Sequence, residues 1–387
     1  MDNSTNLRDL FTMRSPGRPV PEEAADHRWS DYLGLELELE GIHDPPRVQW
    51  WLLHEDGSLR NGWEYVTEAP LYGEDVELAL DSFYDRVDSW DANPRTSTHI
   101  HVDFSRETVG TLRSMVVIVY ALEAGLYDVI GVDRKWAGYA APLREMSVNR
   151  LRNLLSPDSS ALSFVEAVGS GRGNERYYGL NISSLRRHGS LEFRYFPGGP
   201  DREELESWMD LVLAIKRMAM EISLDRLEQE ATTPQDMVSL FAGFLPGSFM
   251  EKLISCVPVE DIFRALWEAM AVAERTPEYR REVPLIFLNP MLIKVAAKRH
   301  NLSEEGKLAL QRAADTLGVV SLQDWNRILS EAKGTSSTST NNPFRDEILN
   351  FHLGMRSVND HHRDSSYPPG YGEHEVIDDD EVEDESW

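Results

Sequence analysis

The sequence predicts an α+β domain over residues 31–230, a helical region over 231–333 and a flexible tail over 334–387. Three stretches carry the strand half of that prediction. "LGLELELEG", "STHIHVDF" and "GSLEFRYF" alternate apolar and polar residues, giving each strand one oily and one polar face. The helical half rests on apolar residues spaced three and four apart, as in "VELALDSFYDRVDSW".

In chain order, residues 1–30 are polar, with Pro16, Pro19 and Pro21, and read as an irregular lead-in. "RVQWWLLHE" and "GWEYVTEAP" add two strands, separated by the turn signals Asp56-Gly57 and Asn61-Gly62. A helix is expected over 73–91, a strand over 96–104, and helices over 106–129 and 145–168. The glycine loop "GSGRGNER" leads into a strand at "YYGLNIS", and Asp201 is a natural N-cap for a long helix. Beyond 230 only helical spacing is seen. The linker "KGTSSTSTNN" and an acidic terminus follow.

Composition narrows the function. The run "MVVIVYALEAGLYDVIGV" is interrupted by Glu123 and Asp128 and reads as a buried helix, not a membrane span. The net charge of −27 argues against general nucleic-acid binding, which needs a Lys/Arg surplus. Nine of the acidic residues lie in 366–387, an acidic segment suited to docking a basic protein partner. Cys256 is the single cysteine, which excludes a disulfide framework or Cys-based zinc site and fits a reducing, cytoplasmic compartment. It reads as a core residue of the helical region. That region is a candidate for packing on the first domain or for oligomerisation.

Chemistry concentrates on the polar strand faces. Positions i and i+2 of a strand share a face, so Glu36 and Glu38, His99 and His101, and Glu192 and Arg194 form three same-face pairs. Glu40 and Asp103 continue two of these rows. Each pair alone fits a solvated strand face. Together in one sheet, they would converge carboxylates for Mg²⁺ or Mn²⁺, imidazoles for metal or phosphate, and a guanidinium clamp. That set suits phosphoryl chemistry. Arg172 and Arg176 in the glycine loop, and Arg134 beside "GYAAPL", are candidates for nucleotide or substrate contact. Tyr139 and Arg144, around the same loop, share the candidacy of Arg134; Tyr178 and Asn181 are candidates for orienting nucleotide or Arg194, and His188 reads as a turn residue.

The motifs "GLELE", "DGSL", "WEYVTEAP", "THIHVDF", "RKWAGYAAPL", "RYYGLN" and "HGSLEFRYFPGG" resemble, in this order, those of the amidoligase family. Its members are similar to glutamine synthetase and glutamate–cysteine ligase. The resemblance implies a curved antiparallel sheet of glutamine-synthetase-like type, covered by helices on one face and holding ATP and Mg²⁺. It implies an ATP-dependent carboxylate–amine ligase, cytoplasmic in a bacterium or a phage-infected host. Glu36, Glu38, Glu64, Glu192 and His99 would hold metal. His99 and His101 would contact the ATP phosphates, and Arg194 would stabilise the transferring phosphoryl group. Glu64 and Glu68 compete for one ligand role, with Glu64 preferred. Two rivals remain: a cupin-like metalloenzyme using His99, His101 and a carboxylate, and a non-catalytic interaction protein. A cupin needs a Glu three or four residues after the second His, whereas five residues separate His101 from Glu107.

Overall fold

A computed structural model describes residues 1–11, 13, 27–91, 93–130, 134, 139–169, 174–274, 285–287, 302–317, 319–321, 327–330 and 332. The alternating segment Leu33–Leu39 forms β1. It pairs antiparallel with β3 (Gly62–Thr67) on one side and β4 (Ser97–Asp103) on the other. β2 (Trp51–Asp56), β5 (Leu180–Asn181) and β6 (Ser190–Pro197) complete a six-stranded antiparallel sheet of order β2-β3-β1-β4-β6-β5. Leu33, Leu35, Leu37, Ile100, Val102, Leu191 and Phe193 are all buried, as the oily face of the alternation requires.

Helices cover that face. Phe83 of α1 (Glu74–Tyr84) packs 5.1 Å from Trp51 and 5.3 Å from Tyr65, ring centre to ring centre. The α2 helix (Val109–Ile130) is long and apolar enough to cross a membrane, yet it is buried between the sheet and other helices. Trp208 of α6 (Arg202–Glu221) stacks on Phe196 at 4.9 Å, and Asp201 caps that helix by accepting from the Glu204 N–H at 2.8 Å. The register of β4 and β6 slips by one residue, since Thr98 faces Phe196 but Ile100 faces Phe193. Arg194 and Tyr195 together therefore oppose His99, a β-bulge.

Several expectations change. The span 145–168 is two helices, α3 (Val148–Leu155) and α4 (Ala161–Val168), because Pro157 cannot continue the first. Between β5 and β6, the short α5 (Ser184–His188) ends at Gly189, which takes a φ of 74°. Residues 1–30 are not wholly a lead-in. Leu7 and Phe11 are buried, and the buried Arg113 donates to the Met1, Leu154 and Ser156 carbonyls. Trp29 is buried as well, its indole N–H on Glu77 at 2.8 Å.

The helical packing also runs past residue 230. After α7 (Leu224–Glu230) come α8 (Pro234–Ala242), α9 (Gly247–Cys256) and α10 (Val259–Glu274). Both α9 and α10 pack on α2, so the first compact unit extends from Met1 to Pro277. Cys256 is exposed rather than buried, since Leu253 and Val257 take the inward positions at that helix end. A Cβ on Gly125 of α2 would lie 1.9 Å from Leu253 Cδ1, so this glycine sets the approach of α9. Gly125→Ala is expected to lower stability by about 1–2 kcal/mol despite alanine's better helix propensity. A urea midpoint at or above wild type would contradict that packing.

The second unit runs from Glu278 to Asp384. It holds β7 (Leu285–Phe287) paired antiparallel with β8 (Val319–Ser321), and α11 (Glu304–Leu317). Region 231–333 is therefore not all-helical. Short apolar runs such as "LIF" and "VVS" carry no period that tells strand from helix. The expected linker and acidic tail over 334–387 lie outside the described residues.

Candidate metal and anion site

The sheet's other face gathers the polar pairs. Antiparallel register sets Glu36 beside His99, Glu38 beside Glu64, and His101 beside Glu192. Four glutamates and two histidines thus come from β1, β3, β4 and β6. His99 Nδ1 lies 2.8 Å from Glu36 Oε2, and His101 Nε2 lies 3.0 Å from Glu36 Oε1. His99 Nδ1 is also 3.4 Å from Glu192 Oε1. Two ligand sets have donor atoms within 4.8 Å of one another: Glu36, Glu64 and His99, and Glu36, His101 and Glu192. Glu36 belongs to both. Glu38 stands beside them, accepting a hydrogen bond from Ser97 Oγ, with an oxygen 3.7 Å from His99 Nε2.

The supporting residues fit metal ligation. The imidazole nitrogens turned away from Glu36 meet hydroxyls: His99 Nε2 is 2.9 Å from Ser97 Oγ, and His101 Nδ1 is 3.0 Å from Ser190 Oγ. Such partners fix ring orientation at metal centres. Asn181 of β5 donates to Glu192 Oε2 at 2.6 Å. Ser97 and Ser190 escaped the sequence reading, although each sits two residues before a chosen residue and hence on the same face. His54 was missed as well. It pairs across β2–β3 with Glu64, and its Nε2 is buried without a hydrogen-bond partner.

The charges are unbalanced in a way that invites cations. Burial, with the charges of Glu36, Glu38 and Asp56, pushes the Glu64 carboxyl up to about 9. Burial also opposes ionisation of Glu36 and Glu192. Even so, His101 and His99 hold Glu36 well below its usual value, and Arg194, His101 and His99 lower Glu192. His101 is raised against its burial by Glu36 and Glu192. Hard oxygen donors with one imidazole in each set match Mg²⁺ or Mn²⁺.

Two guanidiniums border the cluster. Arg194 Nη1 donates to Glu192, and Nε donates to the Tyr139 carbonyl at 3.0 Å. Arg134 is 2% exposed. Among the described residues it has only long contacts, 3.4 Å to Thr96 O and 3.5 Å to Arg194 O, and its Nε has no partner. Burial and the neighbouring Arg194 charge bring it down to about 10, against the pull of Glu38. A buried cation with spare N–H groups is suited to an oxyanion.

Other candidates fall elsewhere. Glu40 is occupied by Arg95 (Nε at 2.9 Å), Asn93 and the Arg60 N–H, which bring it down to about 2; it stays outside the cluster. Glu68 is exposed, so Glu64 alone of that pair reaches the site. Arg176 is exposed, lying over the Tyr177 ring at 4.8 Å, and is not in the cluster. Arg172 lies outside the described residues. Arg144 faces Tyr120 of α2, and Tyr178 carries Arg150 over its ring. His188 packs edge-on to His101 at 6.1 Å, and burial holds it down at about 4.

No curated protein and no solved structure is detectably similar to the chain. Glu64, His99, His101, Arg134, Glu192 and Arg194 all lie within one matched segment, whereas Glu36 and Glu38 lie outside it. Residues 55–216 match the model of a family described as "Putative amidoligase enzyme", so this segment carries that family's pattern, which suggests an amide-bond ligase.

Proposed function

We propose that the protein joins a carboxylate to an amine at the expense of ATP, with Mg²⁺ or Mn²⁺ held by Glu36, Glu38, Glu64, Glu192, His99 and His101. One observation carries this reading: four carboxylates converge with Arg194 and a sparsely bonded Arg134 on one sheet face. The carboxylate oxygen of the acid attacks the γ-phosphorus and ADP leaves. The amine nitrogen then attacks the acyl phosphate, losing a proton as inorganic phosphate departs. Bound divalent cations would neutralise the phosphate charge. Arg194, fixed by Glu192 and the Tyr139 carbonyl, would meet the transferring phosphoryl oxygens. Arg134 would hold a second oxyanion. His99 and His101, oriented by Ser97 and Ser190, would ligate through the ring nitrogens that face Glu36.

A cupin-like reading is disfavoured by Glu107, whose carboxylate lies 3.6 Å from the buried Lys216 instead of joining the histidines. The test is to supply ATP, Mg²⁺ or Mn²⁺, hydroxylamine and a panel of acids and peptides. ADP and a hydroxamate are the expected products. Arg194→Ala is expected to lower the rate by about 10²-fold or more. It should also lower thermal stability, because Glu192 would remain buried without its cation. Absence of ATP turnover across the panel, or a wild-type rate in the variant, would overturn the assignment.

A further inference from the structure

The α2 helix carries two carboxylates, of which Asp128 is exposed and Glu123 is buried in an apolar stretch. Glu123 is 1% exposed. Its Oε1 accepts from the Leu143 N–H at 2.7 Å and the Tyr195 hydroxyl at 2.9 Å, while Oε2 has no partner. One turn further, the Tyr127 hydroxyl donates to the Ala140 carbonyl. The rings of Tyr127 and Tyr195 meet edge-on at 5.1 Å. An apolar residue at 123 would avoid the cost of burying a carboxylate, so the side chain has a task there.

The task is visible in what these bonds hold. Glu123 and Tyr127 grip the two ends of the segment 140–143, and Tyr139, next to it, accepts from Arg194 Nε at 3.0 Å. The same segment is sewn to residues 177–179: the Ala141 N–H donates to Tyr177 O at 2.6 Å, and the Gly179 N–H to Ala141 O at 2.8 Å. The Arg194 N–H in turn donates to Gly179 O at 2.8 Å. Gly179 has no room for a side chain; a Cβ there would lie 2.3 Å from the Tyr195 ring and 2.9 Å from the Tyr127 oxygen. Arg194 is thus fixed at its backbone and its guanidinium by a segment bolted to α2.

We infer that Glu123 is a positioning residue, which with Tyr127 fixes segment 139–143 so that the Tyr139 carbonyl orients the Arg194 guanidinium toward the anion site. This assigns a role to a glutamate outside the metal cluster. It rests on the ligase reading only for what Arg194 does once oriented. Burial raises Glu123 to about 7, against the Leu143 and Tyr195 hydrogen bonds and the Arg144 charge, as expected of a carboxylate kept for its geometry.

The experiment follows Arg194 directly. The full-length protein, without nucleotide, is treated with phenylglyoxal, and modification of Arg194 and of the buried Arg113 is quantified by peptide mass spectrometry. Glu123→Leu and Tyr127→Phe are expected to speed Arg194 modification about tenfold relative to Arg113, the scale of losing one orienting hydrogen bond. Glu123→Gln, which keeps an Oε acceptor, should restore protection, and Mn²⁺ affinity should stay at the wild-type value in all three. Tyr127→Phe removes one hydroxyl and carries the test should Glu123→Leu not fold. Unchanged Arg194 reactivity in Tyr127→Phe, or equal acceleration at Arg113 and Arg194, overturns the inference. Because no turnover is measured, failure of the ligase reading and failure of this one are distinguishable.

Discussion

Titration of the Glu36→Gln variant with Mn²⁺ is expected to show binding weakened by more than the ~10–100-fold typical of losing a supporting residue. Glu36 is the one residue common to both candidate ligand sets, and its two oxygens face His99 and His101 separately. An amide keeps the shape but removes the charge and one of the two ligand oxygens, so both sets lose their shared member. Electron paramagnetic resonance of free Mn²⁺ reads the affinity without any substrate. Glu40→Gln, four residues further along the chain, is the matched control. Its carboxylate is consumed by Arg95, Asn93 and the Arg60 N–H, so that variant should lose some stability and keep Mn²⁺ affinity. Wild-type affinity in Glu36→Gln would remove the metal assignment at its centre.

The second large effect is a pH-dependent stabilisation by divalent cation. In the metal-free protein the Glu64 carboxyl titrates at about 9, far above its ordinary 4.5, and His101 is raised as well. Between these limits the folded state binds more protons than the unfolded one. Stability of the metal-free protein therefore falls as pH rises from about 4.5 toward 9. The lowered Glu36 and Glu192 contribute stability that is lost only on acidification below the ordinary carboxylate range, so they do not cancel this slope. A divalent cation must displace the Glu64 proton, so its affinity should climb over the same window. Melting with EDTA and with saturating Mn²⁺ at about pH 6 and about pH 8.5 checks this; at 100 times Kd the expected gain is about 2.7 kcal/mol. A gain that shrinks with rising pH would contradict the linkage.

Much of the site was legible because strand parity is a simple rule. Spacing alone puts Glu36 with Glu38, His99 with His101, and Glu192 with Arg194 each on one face of a strand; the sheet, with β1, β4 and β6 adjacent, brings the three pairs together. Register was not legible. Nothing in "GWEYVTEAP" fixes which glutamate opposes Glu38; the pairing of β1 with β3 does. Ser97, Ser190 and His54 look like ordinary strand residues until their neighbours are known. Arg134 was chosen from a loop motif, yet its significance lies in the hydrogen bonds it lacks, which a sequence does not record. The packing of α9 and α10 on α2 depends on a close approach at Gly125, which reads in one dimension as a mild helix breaker.

The bulge opposite His99 bears on how the gene for this protein can be edited. With one surplus residue in β6, Glu192 and Arg194 keep the parity of the open face, while Tyr195 and Phe196 both turn toward the helices, to Glu123 and Trp208. Deleting a single codon between those for Arg194 and Phe196 would yield a more regular ladder and a damaged site. Either the guanidinium would swing to the oily side or Phe196 would lose its place on Trp208. Length changes belong in the loops; in this strand the residue count itself is under constraint.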